Sequence, residues 1–327
     1  MLFCCGASYY PHLAVAMASL ILNNQANRLD LHLITGAHTD EQERRVRDSL
    51  PLHPDLSLRL HNFSWEGRPQ WHTSFHITRE AYMRFFAPEI LAPEVRRLIY
   101  LDSDLIVLND LKPLWRKDLG GRPVAGVSDP FGASRRRTLG MPSEAPYVNS
   151  GVLLLDLDIW RAEQLCERLI SYVEREGDRL LFHDQDALNA VLYRSIALLD
   201  PRWNVQAKML RPPRSRPDLR TPAILAAVQA PAIIHYTSAS KPWLFAAATP
   251  AKRLYRHYQQ RTAWRGRPPD GRSISAAPAY VVNHLMYALR LDWTWDRLLR
   301  STVIGRAIAR LAQMAPRLRR SQGLSVK

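Results

Sequence analysis

The chain alternates short apolar runs with amphipathic ones. Residues 2–5 are apolar and brief, as a buried strand is, and in 12–23 Leu13, Met17, Leu20 and Ile21 recur at helical spacing. Leu29, Leu31 and Leu33 alternate with polar residues, the period of a half-buried strand, and Leu56, Leu58 and Leu60 repeat it. Between them, Thr39-Asp-Glu-Gln42 is a capping box opening a polar helix that reaches about residue 50. Residues 77–86 are helical in pattern, and 97–100 form a buried strand leading into Asp102. Farther on, 124–127, 152–157, 196–199 and 232–236 read as strands and 159–175 as one helix. Residues 185–193 read as a helix that Asp184 could cap, and Arg211-Pro-Pro-Arg-Ser-Arg-Pro as a loop. Strands alternating with helices predict an α/β fold, a mainly parallel sheet with helices on its faces. Such sheets hold ligands at the carboxyl ends of their strands, so the loops after apolar runs are the place to search for chemistry.

Composition narrows this picture. The 327 residues are 46% apolar and 23% charged, which excludes global disorder and allows one large domain with an appendage. The formal charge of +15 is uneven: from Lys252 onward 16 Lys/Arg face three acids, a net of +13, and the rest carries only +2. Three cysteines, Cys4, Cys5 and Cys166, make no disulfide framework and no zinc pair, and suit a reducing compartment. No run is long and apolar enough to predict a spanning helix, and no basic region precedes the first apolar run as in a signal peptide. The Pro-, Gly- and Ser-containing stretch 265–278 is the expected linker, dividing a domain at 1–264 from a basic tail at 279–327.

The first candidate site is Arg97-Leu-Ile-Tyr-Leu-Asp-Ser-Asp-Leu-Ile-Val-Leu-Asn109. In extended chain Asp102 and Asp104 project to one side, and two carboxylates so close either stay solvated in a turn or share a cation. Oxygen ligands would favour Mn²⁺ or Mg²⁺. A lone Asp-x-Asp is a weak signal, but three further segments follow it in order. These are Tyr147-Val-Asn-Ser-Gly-Val-Leu-Leu-Leu-Asp-Leu-Asp-Ile-Trp-Arg161, His183-Asp-Gln-Asp-Ala-Leu-Asn189 and His235-Tyr-Thr-Ser-Ala-Ser-Lys-Pro-Trp243.

From residue 2 to residue 243, this co-linear set resembles the family 8 retaining glycosyltransferases, a group that includes bacterial lipopolysaccharide galactosyl- and glucosyltransferases. The resemblance implies a GT-A fold, one α/β domain binding a nucleotide sugar at strand ends. It implies that Asp102 and Asp104 bind the metal with His235 as third ligand, and that Lys241, Arg84 and Ser103 contact the donor. Asn149, Ser150 and Gly151 correspond to a turn holding the donor sugar, and Asp184, Gln185 and Asp186 to the catalytic segment around the anomeric carbon. Asp129 corresponds to an acceptor-side acid, and Tyr9 to a ring stacking on the nucleobase. Two positions depart from the family pattern. Ser238 stands where many members carry Gly, and Cys5-Gly-Ala-Ser8 stands where an acid usually helps to read the base, which leaves that task to backbone and Tyr9.

The implied activity is metal-dependent transfer of a hexose, with retention, from UDP-glucose or UDP-galactose to a saccharide acceptor of a lipopolysaccharide or surface polysaccharide. A non-catalytic sugar- or membrane-binding protein on the same fold is the rival reading. A nucleotidyltransferase ranks lower, for want of a Gly-rich phosphate loop. In the tail, 280–291 and 303–318 are helical stretches, with Arg306, Arg310, Arg317, Arg319 and Arg320 beside apolar residues and Trp293 and Trp295 between. That pattern predicts attachment to an anionic membrane surface from the cytoplasmic side, against the alternative of a helical appendage packed on the domain. No nucleic-acid recognition motif accompanies the charge, so no nucleic-acid partner is expected.

Overall fold

The computed structural model describes residues 1–68, 71, 78–132, 134–212, 216–237, 239–273 and 276–288. Among the described residues ten strands form two sheets: β1 (Leu2–Cys4), β2 (Leu29–Thr35), β3 (Leu56–Asn62), β4 (Arg97–Leu101), β5 (Leu105–Val107), β6 (Val124–Ser128), β7 (Val148–Asp156), β8 (Ile196–Leu198), β9 (Val205–Gln206) and β10 (Ile233–His235). The larger sheet runs β3-β2-β1-β4-β7-β6-β8 and the smaller β5-β10-β9. In the larger sheet β7 alone runs antiparallel to its neighbours. Its first residues therefore lie at the edge where β1, β4 and β6 end.

Apolar residues at successive positions of the central strands serve two cores. Leu98, Tyr100, Leu153 and Leu155 pack on one face with the 3₁₀ helix Arg79–Phe86. Ile99, Leu101, Val152 and Leu154 pack on the other with the helix Tyr10–Leu22. Burial on both faces explains why these strands are continuous apolar runs. It also corrects the half-buried expectation for β2: Leu29, Leu31, Leu33 and Ile34 are all buried, and His32 stacks on His61 of β3. The helix Tyr10–Leu22 is buried on nearly every side because it also meets the helix Lys252–Gln259. It begins earlier than the spacing predicted, with Pro11 in its first turn, where the missing N–H costs nothing.

Three other expectations change. The single helix expected over 159–175 is two, Leu157–Ala162 and Leu165–Glu176, because Gln164 takes a left-handed conformation at φ +50° between them. Asn149, Ser150 and Gly151 belong to β7 rather than to a turn, in a stretch where the β6–β7 register shifts at Gly126/Val127. Asp184 does not cap its helix. That helix is His183–Leu192, Phe182 holds the cap position without a side-chain bond, and Asp184 turns toward β7 instead. The capping box is as expected, with Thr39 and Gln42 each bonding the other's backbone N–H.

Near the expected linker, Asp270 bonds the backbone of Trp243 and Phe245, and a helix spans Ala277–Ala288. Residue 77, Ser238, Trp293, Trp295 and the 303–318 stretch lie outside the described residues. No described helix is long and apolar enough to cross a membrane.

Candidate active site

The carboxyl edge of the larger sheet brings the expected residues together. β4 releases Asp102, whose backbone N–H donates to Gly151 O at 2.8 Å, so the dyad is tied to the start of β7. Asp104 then enters β5, and the β5–β10 pairing sets His235 opposite Leu105. One ligand atom each from Asp102, Asp104 and His235 can lie within 4.8 Å of the others. His235 Nε2 is 3.1 Å from Asp104 Oδ1 and 3.5 Å from Asp102 Oδ2. A Cβ on Gly151 would stand 2.1 Å from His235 Cε1 and 2.6 Å from Asp102 Oδ2, so the ligand set occupies the space a side chain would take.

A chain of amides orients the imidazole. Asn204 Nδ2 donates to Asn149 Oδ1 at 2.8 Å, which leaves Asn204 Oδ1, 3.0 Å from His235 Nδ1, as an acceptor. His235 therefore donates its Nδ1 proton to Asn204 and turns Nε2 to the carboxylates, the nitrogen that would shed its proton to ligate a metal. Two carboxylate oxygens and one imidazole nitrogen suit a divalent cation. Around them the charges are balanced by protein groups. Burial disfavours the ionised form of Asp104, but Lys241 and His235 outweigh it and hold the carboxyl well below the usual range. Lys241 Nζ reaches Asp104 Oδ2 and, at 2.7 Å, Tyr236 O. Burial also opposes charge on His235, yet Asp104 and Asp102 push its imidazole up to about 9.

Arg84 is the second organiser. Its guanidinium, 4% exposed and stacked 4.1 Å over Tyr100, meets Asp102 Oδ1 at 3.0 Å, Asp184 Oδ2 at 3.4 Å and the carbonyl of Ser150. Tyr100 donates to the same Asp102 oxygen at 2.6 Å. Asp184 also accepts from Ser150 Oγ at 3.0 Å, and its burial raises its carboxyl to about 6 despite Arg84.

Farther along the edge Gln185 is fixed at both ends. Its Oε1 accepts from Asn149 Nδ2 and from the Ser150 backbone N–H at 2.9 and 3.1 Å, which settles the amide orientation. Its Nε2 donates to Asp129 Oδ2 and Tyr147. Asp129 accepts as well from Gln206 Nε2 at 3.1 Å and the Phe131 N–H at 2.9 Å.

A cleft of about 460 Å³ joins these groups. Tyr9, Arg84, Asp102, Ser103, Asp104, Asp129, Asn149, Ser150, Asp184, Gln185, His235 and Lys241 line it. Asp186 is not among them. Fully buried, it accepts from Tyr147, from the backbone N–H groups of Leu181 and Phe182, and from Arg135, so it ties loops together behind the cleft wall. Gly151 sits against Asp102 and His235 and makes room for them. The sequence reading missed Asn204, Gln206, Tyr100 and Glu80. Asn204 and Gln206 sit in and beside a two-residue strand, too short to leave a periodic trace.

Residues 1–247 match the family model described as Glycosyl transferase family 8. The chain is 31% identical over 274 residues to General stress protein A of Bacillus subtilis, an alignment covering 80% of this chain and 93% of that one. It is 26% identical to a Lipopolysaccharide 1,2-glucosyltransferase of Escherichia coli K12, covering 82% of this chain and 80% of that one. Among solved structures, the galactosyltransferase LgtC in complex with donor and acceptor sugar analogues superposes with a TM-score of 0.71 at 20% identity. That match covers 85% of this chain and 99% of LgtC, and shows a shared GT-A-type α/β fold.

Proposed function

The chain belongs to glycosyl transferase family 8 and is a glycosyltransferase, and from that premise we propose a metal-dependent transfer of hexose with retention. The donor is a UDP-sugar, glucose or galactose. The acceptor is a saccharide of a lipopolysaccharide or surface polysaccharide. The observation that supports this reading is the meeting of Asp102, Asp104 and His235 beside Lys241 in one cleft with Gln185 and Asp129. Asp102, Asp104 and His235 would hold Mn²⁺, with Mg²⁺ as substitute; bound there, the ion stabilises charge on the departing diphosphate.

Each side chain has a task set by its surroundings. Lys241 adds a second positive charge against the diphosphate. Arg84 holds Asp102 and Asp184 in register, and Asp184 beside Ser150 accepts from sugar hydroxyls. Gln185, with both ends of its amide committed, locks Asn149 to Asp129 and so sets the distance between the sugar and acceptor sides. Asp186 is a positioning residue. Among the described residues no unengaged base faces the sugar, since Asp129 already accepts three N–H groups and Asp184 pairs with Arg84. The acceptor hydroxyl therefore enters on the face the diphosphate leaves. The bond from C1 to the diphosphate breaks as the bond from C1 to the acceptor forms, and the hydroxyl proton passes to the diphosphate.

Residues 1–264 make up the catalytic domain in this proposal, and the basic tail holds it to the cytoplasmic face of the cell membrane. Its support is the charge of residues 279–327, nine Lys/Arg against two acids, and the exposure of Val281 and Leu285 on the helix Ala277–Ala288 that opens the tail. A donor screen scoring nucleotide release with Mn²⁺ tests the chemistry. UDP-hexose should turn over, and Asp104→Asn should lower turnover at least about 100-fold. Normal metal-dependent transfer by Asp104→Asn would sink the proposal.

A further inference from the structure

The cleft has a direction set by strand order. Along the carboxyl edge the sequence is β1, β4, β7, β6, so the metal ligands after β4 lie between Gly6 after β1 and Asp129 after β6. With the diphosphate at the metal ligands and the sugar over β7 and β6, the nucleoside lies over β1. The chain has no acid after β1, but one reaches that place from another element. Glu80, in the 3₁₀ helix Arg79–Phe86, lines the cleft beside Cys5, Gly6 and Tyr9. A Cβ built on Gly6 would lie 3.6 Å from its Cγ, Cδ and Oε1, so the carboxyl sits where a side chain at position 6 would project. Its side chain is 24% exposed, and Arg79 Nε, at 3.9 Å, is beyond hydrogen-bond reach.

Resting on the transfer reading above, we propose that Glu80 reads the nucleobase of the donor, accepting the N3–H of uracil. A carboxylate would repel the diphosphate, so what it faces must be a hydrogen-bond donor. Cys5 and the Tyr9 ring offer the apolar walls a flat base needs. Uracil presents an N–H at N3 where cytosine presents a lone pair, so the same carboxylate attracts one base and rejects the other. The acid of the base pocket has thus moved from the loop after the first strand to the neighbouring helix.

Calorimetric titration of UDP, CDP and N3-methyl-UDP in Mn²⁺ tests this on the wild type and on the near-isosteric Glu80→Gln. The wild type should bind UDP at least about 30-fold more tightly than CDP or N3-methyl-UDP. Glu80→Gln, with an unchanged thermal midpoint, should weaken UDP about 10-fold or more while CDP stays level or improves. An unchanged ratio of UDP to CDP overturns the assignment, and so does an equal loss on both nucleotides, which would place Glu80 on the ribose. Wild type that binds UDP with no preference over CDP removes Glu80 alone. Wild type that binds neither nucleotide with Mn²⁺ or Mg²⁺ removes the UDP-sugar reading with it.

Discussion

Gly151 takes ordinary strand backbone, so its missing side chain matters for space and not for φ. His235 and Asp102 fill the volume where a methyl would stand. Gly151→Ala should therefore fold, with the displacement absorbed at the imidazole, and lose at least about 10-fold in Mn²⁺ affinity by calorimetry. Metal affinity equal to wild type would mean the ligands can shift without cost. Asn204 acts one bond farther out. Asn204→Asp keeps an acceptor for the Nδ1 proton but withdraws the donor to Asn149, so it should disturb the sugar side more than the metal. The expected signature is a rise in KM for the donor with metal affinity within about threefold of wild type. The motif residues were legible from sequence because each stands in a short block of chain. Asn204 was not, because its task is defined only by side chains from β7 and β10, 55 and 31 positions away.

Among the elements, the segment that carries Lys241 depends on aromatic packing. Trp243 stacks on His12 with ring centroids 3.6 Å apart, and His12 Nδ1 is 2.6 Å from the Tyr255 hydroxyl. His12→Ala should loosen this anchor, costing about 2–4 kcal/mol of stability by urea unfolding and raising donor KM more than it lowers kcat. Burial, aided by Arg267, lowers the His12 pKa to about 3, and burial, aided by the Met1 amine, lowers that of His32 to about 4. Both are below the unfolded value near 6.5, so the native state binds fewer protons there. Stability is full above pH 6.5 and falls as pH drops toward 4. The two histidines together should remove roughly 2–4 kcal/mol between pH 7 and pH 5, visible as a lower urea midpoint. A flat midpoint would show that both rings reach solvent. The larger sheet was readable in the sequence because its strands are apolar runs with helices between. Of the smaller sheet only β10 was, within 232–236; β5 and β9 have three and two residues, and the β5–β10 pairing spans about 130 positions. The polar start of β7 hid for another reason: its residues serve the cleft, so hydropathy there reports the site and not the strand.

For the molecule as a whole, charge is segregated, with a nearly neutral body and a strongly basic end. The full chain should sediment with vesicles containing phosphatidylglycerol and not with neutral phosphatidylcholine, and lose that binding as salt rises from 0.05 to about 0.5 M. Binding to neutral vesicles that ignores salt would assign the contact to Val281 and Leu285 rather than to the basic residues.

The Asp102–Asp104–His235 cluster also bridges the two sheets. Asp102 leaves the larger one, while Asp104 and His235 belong with the smaller. A cation held there would work as a rivet across a mechanical joint. Stripping it with a chelator should stop turnover and also lower the melting temperature, since a site saturated at a hundred times its dissociation constant adds about 2.7 kcal/mol to stability.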